Sequence, residues 1–240
     1  MSFAAGYSRS AIDRAGEALR EFWVSDDALI TEATVSAFDA MIAFRETFQE
    51  PLRKTVMGLR SMVMTEVSEL KASDARVPVV QRLKRREQIL WKLARFPDSK
   101  LSNMGDIGGC RAVLGHRAQV DGVLQRIRKK WHVHGRIRDM RDEAAPSGYR
   151  ALHVIVVRDG RRIEIQLRTP HEHEWALAVE RTGVRLGYGL KEGEGPADLL
   201  EYFRLASEGL YLEAKGAEFE PAFLRAFEAA RTRVLPYFDQ

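Results

Sequence analysis

An Asp-Gly pair between two apolar runs constrains the fold of this chain more than any other feature. The segment GYRALHVIVVRDGRRIEIQLRT (148–169) alternates apolar and polar residues on both sides of Asp159 and Gly160. Asp-Gly favours a type I′ turn, whose two central residues both need positive φ, and such a turn joins antiparallel strands directly. The pattern therefore predicts a β-hairpin with a two-residue turn at Asp159 and Gly160.

The length of this turn also determines which side chains share a face of the hairpin. Counting outward gives three cross-strand pairs, which are Ile155 with Glu164, His153 with Gln166, and Ala151 with Arg168. One face is then aliphatic: Leu152, Val154, Val156, Ile163, Ile165 and Leu167. The other is polar: Tyr149, His153, Glu164, Gln166 and Arg168. A solvated sheet surface and a binding site would both produce such a face, so the alternation leaves both interpretations open.

Helical patterns surround the hairpin. Apolar residues spaced by three and four predict helices over 10–22, 27–49, 51–70, 85–95, 117–130, 170–183, 196–214 and 218–234, and further strands are expected at 106–114 and 132–140. This order predicts an α+β fold with a mixed β-sheet of about five strands flanked by helices, and with helical N- and C-terminal extensions.

We expect one structural domain with three parts. The N-terminal helices (1–75) would pack on a core (76–190), and C-terminal helices (191–240) would follow. The polar stretch KASDAR (71–76) marks the first boundary, and the glycine-rich stretch GLKEGEGPAD (189–198) is expected to be a loop and a candidate lid.

Composition and charge exclude several classes of protein. With 45% hydrophobic and 30% charged residues the chain can bury a core, and it contains neither a run of eighteen apolar residues nor a signal-peptide pattern, so we expect a cytoplasmic protein. Cys110, the single cysteine, lies in an apolar run and is expected to be a buried thiol. Basic residues cluster at 82–92, 126–141 and 158–162, which indicates either a solvated surface or a polyanionic partner.

A second acidic candidate supports phosphate chemistry. No GxxxxGK[ST] or GxGxxG motif is present, and HEHEW (171–175) lacks the HExxH spacing of a zinc site. Asp106 begins an apolar strand, and together with Glu164 it would supply the two carboxylates that magnesium-dependent phosphoryl transfer uses. The glycines 108–109 would let a nucleotide approach the backbone closely. Strict alternation places Asp106 and Arg111 on opposite faces, so a bulge at the glycines is expected if both serve one site.

Five ordered segments resemble the RelA/SpoT synthetase domain. They are RLKRREQILWKL (82–93), MGDIGGCRAVL (104–114), SGYRALHVIV (147–156), IEIQLRT (163–169) and HEWALAVE (173–180). The resemblance implies a nucleotidyltransferase-like mixed sheet flanked by helices. It also implies a diphosphotransferase that moves the β,γ-pyrophosphate of ATP to the 3′-hydroxyl of a nucleotide ribose.

The resemblance further implies roles for individual residues. Asp106 would hold the Mg²⁺ that bridges the ATP phosphates, and Glu164 would either complete the metal site or orient and deprotonate the attacking hydroxyl. Residues implied for ATP are Arg82 and Arg111, which would sandwich the adenine, and Lys84 and Lys92, which would grip the phosphates. Residues implied for the acceptor are Tyr149, stacked on its base, with His153, Gln166 and Arg168. His173 and Glu180 would support them, since a seven-residue spacing places both on one helix face.

Departures from the family pattern bear on the acceptor. The loop before Gly148 has Ala144 and Ala145 where the family usually has Pro-Lys, and Arg181 follows Glu180 where the family usually has His. The chain has no hydrolase His-Asp dyad, so a stand-alone synthetase is expected.

The opening YSRSAIDRAG (7–16) is similar to the toxic small alarmone synthetases of phages and bacteria, which are encoded beside an antitoxin. This implies a tRNA 3′-CCA acceptor, with free guanine or adenine nucleotides as the alternative. A non-catalytic RNA-binding module and a nucleotide sensor are the alternatives from other classes. The sequence leaves the oligomeric state open.

Overall fold

The computed structural model describes residues 6–25, 29–69 and 78–238. It has eight α-helices within these residues: α1 (Arg9–Val24), α2 (Glu32–Glu46), α3 (Gln49–Glu69), α4 (Arg86–Arg95), α5 (Arg117–Lys130), α6 (Pro170–Leu186), α7 (Ala197–Ala214) and α8 (Pro221–Val234). Its strands are β1 (Val79–Leu83), β2 (Gly108–Val113), β3 (Arg138–Asp139), β4 (Leu152–Arg158) and β5 (Arg161–Arg168). The predicted KASDAR break and the predicted start of the second helix at residue 27 lie outside the described residues.

The hairpin forms as predicted. Asp159 and Gly160 have φ angles of 47° and 72°, so both central residues of the turn between β4 and β5 adopt the positive φ of a type I′ turn. All six aliphatic residues of the predicted apolar face are fully buried. Tyr149, His153, Glu164 and Arg168 are also buried, which means that the polar set is not a solvated surface.

The five strands form one mixed sheet in the order β1-β2-β5-β4-β3, so the predicted α+β fold is confirmed. Two details differ from expectation. Strand β1 was not predicted, because only five residues separate the polar break from the basic segment that opens α4. The strand expected over 132–140 is reduced to Arg138–Asp139 and an isolated bridge between Val133 and Val156, since charged residues and Gly135 interrupt its alternation.

The predicted bulge at the two glycines is absent. Strand β2 pairs with β1 in an unbroken antiparallel register from Val79 opposite Ala112 to Leu83 opposite Gly108. Asp106 lies before the strand begins, so the alternation rule does not apply to it and no bulge is needed to orient it.

The chain divides into two compact units. The first comprises Met1–Ala112, Gly122–Arg136 and Val154–Gln166, and the second comprises Val113–Asp121, Ile137–His153 and Leu167–Gln240. In the first unit α1 packs against α2 and α4, and α3 packs against β1. Gly108 is required there for packing, because a Cβ at this position would lie 2.9 Å from Ile163 Cδ1 and 3.2 Å from a Phe48 ring carbon.

The second unit has its own hydrophobic core. Helix α7 packs against α6 and α8, and the core includes Tyr149, Trp175, Leu199 and Phe203. The Trp175 indole N–H donates to the Phe203 carbonyl at 2.7 Å, which satisfies the polar atom of this buried ring. Helix α6 begins with a capping box in which the Glu172 carboxylate accepts from the Thr169 backbone N–H at 2.8 Å. No described helix is both long and apolar enough to span a bilayer.

Candidate active site

Asp106 is the centre of a charged cluster in the first unit. Its Oδ2 accepts from the ammonium groups of Lys84 and Lys92, each at 2.8 Å. Lys84 follows β1, where its backbone N–H donates to the Ile107 carbonyl, and Lys92 comes from α4. Two separate elements therefore bring both predicted phosphate-binding lysines to the predicted metal ligand.

The electrostatics of Asp106 keep it ionised. Burial by itself would raise the pKa of Asp106, but attraction to Lys92 and Lys84, with a hydrogen bond from each, outweighs burial and lowers the pKa below its ordinary value. The other carboxylate oxygen, Oδ1, is buried and has no hydrogen-bond partner among the described residues.

The carboxylate of Asp106 fits Mg²⁺ only if substrate phosphates supply further ligands to the ion. A buried, ionised oxygen without a protein donor is suited to a hard cation. Among residues 6–25, 29–69 and 78–238 no group of three or more His, Cys, Asp or Glu side chains could hold a metal by itself. Mg²⁺ commonly takes only one or two carboxylates and completes its shell with water and substrate phosphates, so this sparse set is compatible with the ion.

Arg82 and Arg111 lie on one face of the sheet. In the β1–β2 ladder Arg82 is directly opposite Gly109, and Gly109 precedes Arg111 by two residues, so all three project to the same side. A Cβ built on Gly109 would meet only the Glu164 carbonyl, at 3.7 Å, among the described atoms within 4 Å. The two guanidinium-bearing residues thus flank a position where a planar ring could approach the backbone.

Glu164 and Gln166 occupy β5 in the same unit. The Gln166 amide donates to Glu164 Oε2 at 2.8 Å, which orients a carboxylate that is 9% exposed. Cys110 precedes Arg111 in β2, and its thiol is poorly suited to act as a nucleophile. Burial raises the pKa of this thiol to about 12, with a smaller contribution from the Glu164 charge. The prediction that Cys110 is a buried thiol is confirmed.

The predicted acceptor residues form a hydrogen-bonded chain in the second unit. An Arg138 N–H donates to His153 Nδ1 at 3.1 Å, so this nitrogen is unprotonated in a neutral ring. His153 Nε2 then donates to the Tyr149 hydroxyl at 2.7 Å. The same hydroxyl accepts from Arg168 Nη2 at 2.5 Å. Strand pairing places Arg138 opposite His153. The sequence did not predict this contact, although Arg138 lies in a basic cluster.

The Tyr149 ring is buried rather than open. It is 6% exposed, and its neighbours include the rings of His153 and Trp175 at centroid distances of 5.6 and 6.3 Å. The Arg168 guanidinium lies 5.0 Å and the Lys191 ammonium 5.1 Å from its ring centroid. Lys191 belongs to a short 3-10 turn, Leu190–Glu192, within the predicted loop. The composition of that loop did not predict its contact with Tyr149.

The structure brings the predicted residues together in two groups. Those in the first unit are Arg82, Lys84, Lys92, Asp106, Arg111, Glu164 and Gln166, and those in the second are Tyr149, His153, Arg168, His173 and Glu180. His173 is half-buried in the first turn of α6, whereas Glu180 is exposed, so the two supporting residues differ in environment.

Comparison with known proteins gives a match over the same part of the chain. Residues 81–183 match the family profile described as "Region found in RelA / SpoT proteins". Uncharacterized proteins of Mycobacterium bovis and Mycobacterium tuberculosis are 30% identical over 146 residues, which cover 59% of this chain and 52% of theirs. The chain thus spans about half the length of the curated relatives it matches.

Solved structures show the same fold. Small alarmone synthetase 1 from Bacillus subtilis, bound to its product pppGpp, has a TM-score of 0.58 and 22% identity and covers 71% of this chain and 93% of its own. A GTP pyrophosphokinase family protein from Streptococcus pneumoniae has a TM-score of 0.56 and 22% identity, with coverage of 71% and 89%. Residues 81–183 thus resemble a region found in RelA and SpoT proteins, and the chain shares the fold of these small alarmone synthetase structures.

Proposed function

We propose that this chain is an ATP-dependent 3′-pyrophosphokinase. The observation that carries the proposal is the Asp106 cluster within the RelA/SpoT region, where an ionised carboxylate has one oxygen held by two lysines and one buried oxygen without a described partner. In this proposal Lys84 and Lys92 neutralise the ATP phosphates, and Arg82 and Arg111 hold the adenine across Gly109. Asp106, with Glu164, would hold Mg²⁺, which when bound neutralises charge on the transferred group.

The proposed reaction is a displacement at the β-phosphorus of ATP. The acceptor 3′-oxygen forms a bond to the β-phosphorus, the bond between that phosphorus and the oxygen bridging it to the α-phosphorus breaks, and AMP leaves. The acceptor hydroxyl proton passes to the Glu164 carboxylate, which Gln166 orients. Tyr149 would hold the acceptor base, and stacking there requires the Lys191 side chain to move away from the ring.

We propose the 3′-CCA end of tRNA as the acceptor, with inhibition of translation as the consequence. Exposed cations at positions 128–130 and at Arg136 provide a surface for RNA phosphates. Binding should therefore weaken with salt by roughly one power of salt concentration for each phosphate neutralised. A toxic role beside an antitoxin, in phage defence, belongs to the same proposal.

A free guanine nucleotide is the second candidate acceptor, because one structural neighbour is described as bound to its product pppGpp. The deciding experiment incubates the chain with Mg²⁺, γ-labelled ATP and, in separate reactions, tRNA, GDP, GTP, AMP and ADP. Periodate-oxidised tRNA, which lacks the terminal ribose diol, is the matched control for tRNA. We expect label in intact tRNA only, whereas label in GDP or GTP alone would establish the second candidate, and no transfer to any acceptor would refute the enzyme.

Three variants test the residue assignments. Asp106→Asn and Glu164→Gln should abolish transfer while the far-ultraviolet circular dichroism spectrum is retained, and the exposed Glu174→Gln on α6 should leave transfer intact. Tyr149→Ala should raise the KM for the acceptor more than the KM for ATP. An equal rise in both constants would contradict the assignment of Tyr149 to the acceptor.

A further inference from the structure

A cationic pocket lies in the first unit, and it is formed by residues that the proposed reaction does not use. Its volume is about 100 Å³, and its polar lining comes from Arg9, Arg161 and Arg162 with Ser102 and Asn103. One ordered water needs about 10–15 Å³ of such space, so the pocket can hold a tetrahedral anion with accompanying water. None of the described residues that line it is acidic.

Two of the arginines at this pocket, Arg9 and Arg162, donate to neutral groups. Arg9 donates to Ser102 Oγ at 3.2 Å and to Asn103 Oδ1, and Arg162 donates to the Asn103 carbonyl at 3.0 Å. Both guanidinium groups thus converge on Asn103 through partners that carry no charge. Their positive charge is available to an anion, because the described contacts position the side chains without neutralising them.

Arg161 adds a third, partly buried cation. Its Nε donates to Thr47 Oγ1 at 2.7 Å, and its guanidinium lies 5.4 and 5.8 Å from the ring centroids of Phe44 and Phe48. Burial lowers the pKa of Arg161, and the guanidinium stays charged because its ordinary pKa is so high. A cation desolvated in this way stabilises an incoming anion more strongly than a solvated one does.

Two acidic residues beside the lining, Asp13 in contact with Ser102 and Asp159 next to Gly160 in the chain, have other described partners. Asp13 accepts the Ser102 backbone N–H at 3.0 Å, and Asp159 in the adjacent hairpin turn pairs with Lys54 at 2.8 Å. The pocket therefore combines three guanidinium groups with an amide and a hydroxyl, which is the chemistry that recognises phosphate.

We infer that Arg9, Arg161 and Arg162 form a phosphate-binding site distinct from the groups assigned to ATP and the acceptor. Its ligand is a phosphoryl group, whether of a free nucleotide or of an RNA backbone. The inference goes beyond the proposed function, since no lining residue has a role in the transfer reaction.

Calorimetric titration of the full chain with inorganic pyrophosphate, and separately with a short single-stranded oligoribonucleotide, tests the site. Arg9→Gln/Arg162→Gln should weaken binding of at least one probe by at least about tenfold, because each hydrogen bond to a charged phosphate is worth that factor or more. The matched control, Arg204→Gln/Arg225→Gln, removes the same charge from exposed positions and should change neither affinity by more than about twofold.

The two probes also identify the source of the phosphate. Loss of oligoribonucleotide binding, with competition by pyrophosphate, supports the site and assigns it to RNA, whereas loss of pyrophosphate binding alone supports the site and assigns it to a free nucleotide. Unchanged affinity of the double variant for both probes, or an equal loss in the control, overturns the inference. If the double variant does not fold, Arg162→Lys keeps the charge but loses the planar fork, and the same comparison applies to it. Transfer activity is not the readout, so the result is independent of the proposed function.

Discussion

Replacing Asp106 by Asn should destabilise the protein and change how its stability depends on pH. The substitution removes the charge that two lysines share, and the side chains of Asp106, Lys84 and Lys92 are all at least about 70% buried, with exposed fractions of 23%, 14% and 28%. Each charge-assisted hydrogen bond is worth about 1.5–3 kcal/mol, and an Asn carbonyl retains part of one. We expect the free energy of unfolding at pH 7 to fall by about 2–4 kcal/mol.

The pH dependence tests the cause of this loss. The pKa of folded Asp106 lies below the unfolded value of about 3.9, so its ion pairs stabilise the folded state above that pH and cease to do so as the pH falls through the lowered pKa. Urea denaturation from pH 7 downward should show the difference between wild type and Asp106→Asn shrinking in acid. The exposed Asp98→Asn is the control and should stay within about 0.5 kcal/mol of wild type. A variant as stable as wild type at pH 7, or a deficit unchanged in acid, would refute the assigned ion pairs.

Two further predictions concern a glycine and the cysteine. Gly148→Ala should lower the free energy of unfolding, measured by urea denaturation, by about 2–4 kcal/mol, because φ is +89° and the new Cβ would lie 3.0 Å from the Arg204 Cα. Gly135 has a φ of +69° and open space around it, so Gly135→Ala should lower the free energy of unfolding by only about 1–2 kcal/mol. Equal costs would contradict the packing at Gly148. The Cys110 thiol should resist iodoacetamide at pH 8 in the folded protein and react in urea, as mass spectrometry would show, and rapid native alkylation would contradict its burial.

The hairpin was predictable because its information is local. An Asp-Gly turn and strict alternation determine turn type and face within about twenty residues, and both turn residues have the expected positive φ. The helices were predictable from periodicity for the same reason. Strand β1 was not predicted because its alternation of apolar and polar residues is weak. It is an edge strand of five residues, and the three at its centre are exposed, so its pattern could not be distinguished from the basic segment that follows.

The resemblance to RelA/SpoT proteins implied which residues would form the site, but it did not give their contacts. It implied Asp106 and the two lysines, whereas their ion pairs depend on where α4 begins relative to β1, which is a tertiary property. Arg138 was missed because a two-residue strand places it opposite His153. Burial of Tyr149 was missed for a similar reason, since its neighbours come from α6 and from the loop that contains Lys191.

The loop before Tyr149 shows how a departure from the family pattern can bear on the acceptor. Arg150 anchors this loop by donating to the carbonyls of Arg141 and Asp142 at 2.9 and 2.8 Å and to Glu208 at 2.6 Å. The loop is therefore held without the usual Pro-Lys pair, and Ala144 and Ala145 remove a cation rather than a structural support. A guanosine di- or triphosphate would bring several negative charges to the proposed acceptor site, whereas the terminal adenosine of tRNA is joined through a phosphodiester with a single charge. If this loop borders the acceptor as we propose, one cation fewer is better matched to the second of these, and we therefore propose tRNA before free guanine nucleotides.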